Sequence, residues 1–286
     1  MLSVIITTYN SPEWLEKVLW GYQYQTFRDF ELIIADDGSG SATLELIKAM
    51  KEKVFYPIVH VWHEDKGFRK CAILNKAILA SHSDYLVFSD GDCIPRSDFL
   101  EVHAKRRKPG RFLSGGYSKM PMNISKLISN DDIQKQTCFD LNWLLQHGLK
   151  RSFKNNKLSA HGAKEWMLNT FTPSTATWNG HNSSGWKSDI ISVNGYDERM
   201  KYGGLDRELG ERLMNKGIRG IQIRYSAICL HLDHSRGYVN ETDLKNNFAI
   251  RKLTKQKRLT WTNYGIKKMD PAIVQQPENI LTALKS

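Results

Sequence analysis

The chain has 286 residues, 41% hydrophobic and 25% charged, with 41 lysines and arginines against 30 acids and a net charge of +11. These are the fractions of a soluble globular protein, with enough chain for one large domain or two small ones around a full apolar core. The excess positive charge points to an acidic partner: nucleic acid, anionic lipid headgroups or a phosphorylated substrate. The N-terminus enters a strand pattern at Leu2 without a basic stretch followed by an apolar one, and no run approaches the roughly 20 apolar residues of a spanning helix. A cytoplasmic location is therefore expected. Cys71, Cys93, Cys138 and Cys229 fall in no CxxC or Cys/His zinc spacing and read as free thiols.

Residues 2–8 are apolar and β-branched, and Tyr9-Asn10-Ser11-Pro12 leads into a helical stretch over 13–25, with Pro12 suited to a helix start. The unit then repeats. Residues 30–35 carry a second strand pattern closing on Asp36-Asp37-Gly38-Ser39, ahead of a helix over 42–50. Residues 58–62 carry a third, followed by a polar turn through Arg69 and a helix over 70–81. A fourth apolar run, 85–88, stops at Ser89-Asp90-Gly91-Asp92. Strands alternating with helices predict βαβ crossovers and an α/β fold with a mainly parallel central sheet flanked by helices. Ligands of such sheets bind beyond the carboxyl ends of the strands, so the polar clusters 7–10, 36–39, 64–69 and 90–92 converge on one crevice. No GxGxxG or GxxxxGK[ST] turn is present, which excludes the dinucleotide fingerprint and the P-loop.

Asp90-Gly91-Asp92 suits a divalent cation with a diphosphate. Hard cations take carboxylate, phosphate and water oxygens, and a glycine lets a bulky ligand approach the backbone. A plain surface turn uses the same residues. Beyond it, 98–107 reads as a helix, 111–117 as a strand, 124–150 as polar helix-capable sequence and 151–163 as a basic loop over or beside the site. Residues 178–186 and 187–193 regain regularity before a turn at 194–198. A helix over 205–215 ends at Lys216-Gly217, and a strand over 218–230 delivers His231-Leu232-Asp233-His234. Residues 244–269 hold eight cations and no acid, interleaved with Phe248, Ile250, Leu253, Leu259 and Trp261. That is a basic amphipathic helix, lying either on an anionic membrane or with its apolar stripe on the domain.

Together, SVIITTYN, ELIIADDGS, DKGFRKCAILNKAI, SDGDCIP and NGYDE resemble glycosyltransferase family 2, the inverting nucleotide-sugar enzymes of GT-A fold. The resemblance runs over residues 2–234. Its second half is similar to the C-terminal module of animal galactosyltransferases and bacterial chondroitin-type polymerases, where an acidic pair opens a helix and a later histidine completes a metal site. The resemblance implies a Rossmann-like nucleotide half over 1–118, a variable insertion over 119–175, an acceptor and catalytic half over 176–238, and a basic helical extension over 239–286.

Carried onto this sequence, the resemblance puts Thr7, Tyr9 and Asn10 against the nucleoside and Asp37 on the uracil edge with Asp36 beside it. Lys66, Arg69 and Asn75 fall near the nucleotide, and Asp90 with Gly91 near the ribose or donor sugar. Asp92 ligates the metal together with His231 or His234, the spacing to the acidic helix favouring His231. Asp206 takes the place of the catalytic base, and a helix N-terminus favours its ionised form. Leu205 replaces the first acid of the family's Glu-Asp pair, so sugar preference does not carry over. Read as residues alone, Asp206 is equally a helix-start residue, Asp36-Asp37-Gly38 a capping turn and His231 a core histidine. Trp178, Trp186 and Tyr202 are candidates for stacking on acceptor sugars or for packing.

The implied activity is inverting transfer of a hexose or N-acetylhexosamine from a UDP-sugar to a glycan or lipid-linked glycan hydroxyl, in surface polysaccharide or lipopolysaccharide synthesis. A divalent metal serves it, Mn2+ in preference to Mg2+ because an imidazole joins the oxygen ligands. Residues 244–269 leave room for a peripheral contact with an anionic membrane. An aspartyl-nucleophile phosphatase would carry its Asp-x-Asp on the first strand and continue with Thr or Val, whereas Asp92 follows the fourth strand and precedes Cys93. A nucleic-acid-binding protein accounts for the charge, but no recognition motif accompanies it, and no nucleic-acid partner is expected.

Overall fold

The computed structural model describes residues 1–234 and 240–268. Strands β1 (Leu2–Thr8), β2 (Phe30–Asp36), β3 (Ile58–Trp62) and β4 (Tyr85–Asp90) lie parallel in the order β3-β2-β1-β4. Alternate residues feed two cores. Leu2, Val4, Ile6, Leu32 and Ile34 pack beneath the Pro12–Gln23 and Ser41–Lys51 helices, while Ile5, Ile33 and Ala35 pack against Ile73, Leu74, Ala77 and Ile78 of the Lys70–Ala80 helix. Burial on both faces explains the near-continuous apolar runs of β1 and β2.

Six further strands follow in chain order: β5 (Cys93–Pro95), β6 (Arg111–Ser114), β7 (Gly116–Lys119), β8 (Ser183–Trp186), β9 (Arg219–Gln222) and β10 (Ile228–His231). The large sheet continues through β8, which runs antiparallel to β4 and β6, and ends β8-β6-β9. β5, β10 and β7 form a second, three-stranded sheet. Of the strands within 176–238, β8 and β9 join the large sheet and β10 the small one, each beside strands of 1–118.

Several expected elements divide. The strand expected over 111–117 is two strands in different sheets, because the chain crosses over at Gly115. Its N–H donates to the Asn182 carbonyl (2.8 Å), and a Cβ there would sit 2.1 Å from the Asn182 side chain. The strand expected over 218–230 likewise splits into β9 and β10, and the regular stretch expected over 178–186 is a strand only from Ser183. The basic loop expected over 151–163 contains the Asn156–Ser159 helix and the start of a Gly162–Phe171 helix.

The basic segment is helical only over Glu241–Gln256, and it packs on the domain. Asn247 donates to the carbonyls of Lys201, Tyr202 and Gly203 (2.9, 3.0 and 2.8 Å), and Arg251 pairs with Glu211 (2.5 Å). Residues 269–286 of the expected extension lie outside the described residues. Among the described residues, no helix is long and apolar enough to cross a membrane. The four cysteines are free and buried.

A buried ion pair joins the helix Leu205–Asn215 to the turn before it. Arg212, fully buried, donates to Glu208 (2.7–3.0 Å) and to the carbonyls of Val193 and Gly195, and Thr254 also donates to Glu208 (3.0 Å). Breaking such a pair from one side strands a buried charge. Arg212→Met should therefore lower stability by about 3–5 kcal/mol in urea unfolding, and adding Glu208→Gln should recover part of that loss. A loss below about 1 kcal/mol would contradict the assignment.

Candidate active site

The carboxyl ends of β1 to β4 meet in one crevice. Asn10 donates its backbone N–H to Ser39 Oγ (2.8 Å) and accepts from Gly40 N–H (2.9 Å), and the Tyr9 hydroxyl donates to Asp65 (2.8 Å). Gly38, at φ +100°, lies so close to the β3 loop that a Cβ would be 2.6 Å from Asp65 Cα. Gly91 N–H donates to the Thr7 carbonyl (2.7 Å), and a Cβ there would meet that oxygen at 2.7 Å. Two glycines thus let four strand ends touch in pairs, β2 with β3 and β4 with β1.

The paired aspartates after β2 are each engaged. Asp36 accepts from Ser39 N–H (2.8 Å) and lies 2.9 Å from His60 Nε2. Burial pushes its carboxyl up, but the hydrogen bonds from His60 and Ser39 outweigh burial and hold it below the usual range. Asp37 lies 2.8 Å from His63 Nε2 and accepts the Arg69 backbone N–H (3.0 Å); here burial prevails and the carboxyl is raised. Lys66 sits at the outer lip, paired with Glu64 at 2.9 Å.

Three expected site residues are placed elsewhere. Asn75 is a buried tie: its amide donates to the Tyr196 carbonyl and Glu198 (both 2.9 Å), and its carbonyl accepts Tyr196 N–H (2.8 Å). Both amide hydrogens are spent on the 196–198 turn, which leaves none for a nucleotide. Trp178 is 0% exposed, packed on Phe88 and Phe112, and is core rather than an acceptor platform. Trp186 pairs with Tyr85 at the start of β4, roughly 16 Å along the strand from Asp90. Tyr202 does stand at the crevice, edge-on to Phe68 with ring centroids 6.4 Å apart.

Asp92, His231 and His234 present ligand atoms within 4.8 Å of one another. Both histidines converge: Nε2 of His234 is 3.0 Å and Nε2 of His231 3.8 Å from Asp92 Oδ2. β10 runs antiparallel to β5, with His231 opposite Cys93, which sets His231 beside the Asp92 turn. Its Nδ1 lies 2.8 Å from the Leu232 carbonyl; an N–H donated there leaves the Nε2 lone pair facing Asp92, as a ligand histidine requires.

The residue that organises the acids is Lys70, at the start of the Lys70–Ala80 helix. Its ammonium donates to Asp90 (2.6 Å), which also accepts from the Thr7 hydroxyl (2.8 Å). Burial alone would push both groups toward neutrality, yet their mutual attraction outweighs it, so Lys70 is held above and Asp90 well below the ordinary range.

Asp206 opens the Leu205–Asn215 helix after Gly204, which takes φ +82°. Its carboxylate is walled by Gly180, where a Cβ would meet it at 2.9–3.1 Å. Ser89 fixes that wall by donating to the His181 carbonyl (3.1 Å). Asp206 Oδ1 is buried with no hydrogen-bond partner among the described residues. Burial pushes its pKa up to about 6, with Lys70 pulling it down and Asp90 pushing it up. Burial thus opposes the helix-terminus preference for the ionised form without reversing it, since a pKa of about 6 still leaves Asp206 ionised at neutral pH. His181 is driven down to about 4 by burial and faces the same space as a neutral imidazole.

Residues 3–113 match the family model described as Glycosyl transferase family 2. Over 235 residues the chain is 25% identical to validoxylamine A glucosyltransferase of Streptomyces hygroscopicus subsp. jinggangensis, covering 76% of this chain and 52% of that protein. Over 290 residues it is 25% identical to chondroitin synthase of Pasteurella multocida, covering 90% of this chain and 27% of that protein. The chain thus spans about half the length, or less, of these curated relatives. Among solved structures, the Pyrobaculum calidifontis mannosyltransferase with GDP-Man and Mn2+ gives a TM-score of 0.56 at 17% identity, over 90% of this chain and 62% of that one. S. aureus TarS 1-349 with UDP-GlcNAc gives 0.59 at 14% identity, over 90% and 69%. The fold is the GT-A fold expected from the sequence.

Asp206 has a consequence for stability. Its folded pKa of about 6 lies above the ordinary 3.8, so the folded state binds the extra proton between those values and the ionised carboxylate weighs against folding above pH 6. Asp206→Asn should be more stable than wild type by about 1–3 kcal/mol at pH 8, the gain shrinking toward pH 5. Equal stabilities at pH 8 in denaturant titrations would contradict the buried, strained carboxylate.

Proposed function

We propose that the chain is a family 2 glycosyltransferase, inverting, metal-dependent and using a UDP-sugar donor, a reading supported by the match of residues 3–113 to that family's model. The observation that carries this reading is Asp206: a half-buried carboxylate whose Oδ1 is buried without a partner among the described residues, sharing the Lys70 charge with Asp90, in a crevice that also holds Asp92, His231 and His234. The UDP-GlcNAc in S. aureus TarS and the GDP-Man in the P. calidifontis enzyme support a nucleotide-sugar donor.

Asp92, His231 and His234 would hold a divalent ion, and one carboxylate with two imidazoles suits manganese better than magnesium. When bound, such an ion stabilises the charge that develops on the departing diphosphate. The protein's own groups do the rest. Lys70 keeps Asp90 ionised, so that Asp90 accepts hydroxyl hydrogen bonds from the ribose or the donor sugar. Thr7, Tyr9, Asn10 and Asp37 border the nucleoside side of the crevice, with Arg69 and Lys66 at its rim. Asp206 takes the acceptor hydroxyl's proton as that oxygen attacks the anomeric carbon opposite the leaving group. One such displacement inverts the configuration. A pKa near 6 leaves Asp206 ionised and still basic at neutral pH. The acceptor is a glycan or lipid-linked glycan of a surface polysaccharide or lipopolysaccharide.

Asp206→Asn should keep UDP affinity within about twofold and lose transfer by about 10²–10⁴-fold, measured as released UDP across a donor panel. In wild type, kcat/KM should fall tenfold per pH unit below about 6, as Asp206 takes up a proton. Near-wild-type turnover in Asp206→Asn would sink the base assignment. Asp92→Ala should remove manganese-dependent UDP binding in calorimetry; unchanged binding would move the metal elsewhere.

A further inference from the structure

Beside Asp206 lies a cavity of about 900 Å³ whose charge the transfer chemistry does not require. Its walls come from within 114–121, 148–157, 177–181 and 204–207, together with Arg224 and Asp233. No lining residue belongs to the end loops of β1, β2, β3 or β4, so the cavity adjoins the donor crevice at Asp206 rather than lying within it. Asp206 faces it, and a hydroxyl that loses its proton to Asp206 is therefore carried by whatever fills this cavity.

The cations lining it are Lys119, Lys150, Lys154, Lys157, Arg207 and Arg224; the acids are Asp206 and Asp233, and Asp233 is already paired with Lys119 at 3.3 Å. Lys157 donates to the Tyr117 carbonyl (2.7 Å) and stands 5.5 Å from the centre of that ring, which packs in turn against His181 and His231. Arg224 donates to the Ser174 hydroxyl (3.3 Å), its stem lying where a Cβ on Gly116 would sit 2.8 Å from Arg224 Cγ. Neither of those partners is a carboxylate. Burial, and next the Arg224 charge, bring Lys157 down to about 8, the mark of like charges held together in a partly dry wall. The segment that supplies Lys150, Lys154 and Lys157 is itself one-signed: residues 141–164 carry five cations and no acid.

We propose that this cavity is a subsite for an anionic acceptor, in which Lys157 and Arg224 meet a carboxylate or phosphate on the sugar that offers the hydroxyl or on its neighbour. The proposal rests on the glycosyltransferase reading above. A neutral acceptor leaves two neighbouring cations uncompensated, whereas an anionic one relieves their repulsion and fixes the acceptor relative to Asp206. Lys150 and Lys154 extend the same charge toward the opening, where it steers a polyanion inward.

The test uses the full chain loaded with UDP and Mn2+ on a printed array of neutral, uronate-bearing and phosphodiester-linked oligosaccharides of matched length, at low and high salt. Retention on anionic spots, weakened by salt, is expected, and the uronate and phosphodiester arms identify the source of the charge. Lys157→Gln combined with Arg224→Gln should cut that retention about tenfold or more, and Lys157→Arg should preserve it. Calorimetric UDP affinity of each variant should stay within about twofold of wild type, which also reports that the variant is folded. Equal retention on neutral spots, or none on any spot, overturns the proposal. A loss of UDP affinity in the Gln variants overturns it too, by assigning these cations to the donor diphosphate. Absence of nucleotide affinity in wild type overturns the glycosyltransferase reading, and this proposal with it.

Discussion

Three carboxylates share one crevice because a single half-buried ammonium stands among them. Asp90, Asp92 and Asp206 all act on Lys70, and its direct bond to Asp90 allows that residue to stay charged away from water. The position of the ammonium follows from packing. Lys70 is the first residue of a helix whose Ile73, Leu74, Ala77 and Ile78 are buried beneath β1 and β2, so the core holds the charge in place. Were the ammonium absent, burial would drive Asp90 and Asp206 toward protonation, and a protonated Asp206 could not serve the proposed role of base.

The second requirement is that Asp206 hold its place against the donor half. Buried polar ties supply this. Asn75, on the same helix as Lys70, clamps the 196–198 turn, Arg212 clamps the preceding carbonyls to Glu208, and Asn182 donates to the carbonyls of Gly116 and Ala227 (2.8 and 2.9 Å) beneath the 179–181 segment. Each tie satisfies groups that would otherwise be unpaired away from water, so displacing one element costs several hydrogen bonds at once. Gly180 then lies flush with the Asp206 carboxylate. The result is a carboxylate that is raised in pKa, short of partners and still aimed at open space.

The parts of this arrangement that were readable from sequence are the local ones. β1, β2 and β4 announce themselves through runs buried on both faces, the edge strand β3 through its β-branched residues, and the Asp90-Gly91-Asp92 turn through its place at a strand end. Topology alone then implies that the four polar ends meet. The stretches expected as single strands, 111–117 and 218–230, each divide beside Asn182, a residue distant in sequence: Gly115 donates to its carbonyl, and its amide donates to the Ala227 carbonyl just before β10. Trp178 failed as a sugar platform for the same reason, since an aromatic side chain has one signature in a core and in a binding site. Lys70, Gly180, His181 and Lys157 were invisible because their roles exist only in contacts made across 20 residues or more, and no spacing rule reaches that far.

The proposed place of the donor diphosphate and its metal is Asp92, His231 and His234, with Asp206 across the sugar from them. Diffraction from crystals grown with UDP and Mn2+, recorded at the manganese absorption edge, tests this directly. The account predicts one anomalous peak within bonding distance of Asp92 and at least one of the two histidines, with diphosphate oxygens completing its shell and Asp206 outside it. A peak on Asp206, or UDP bound in the crevice with no manganese at the triad, would contradict it.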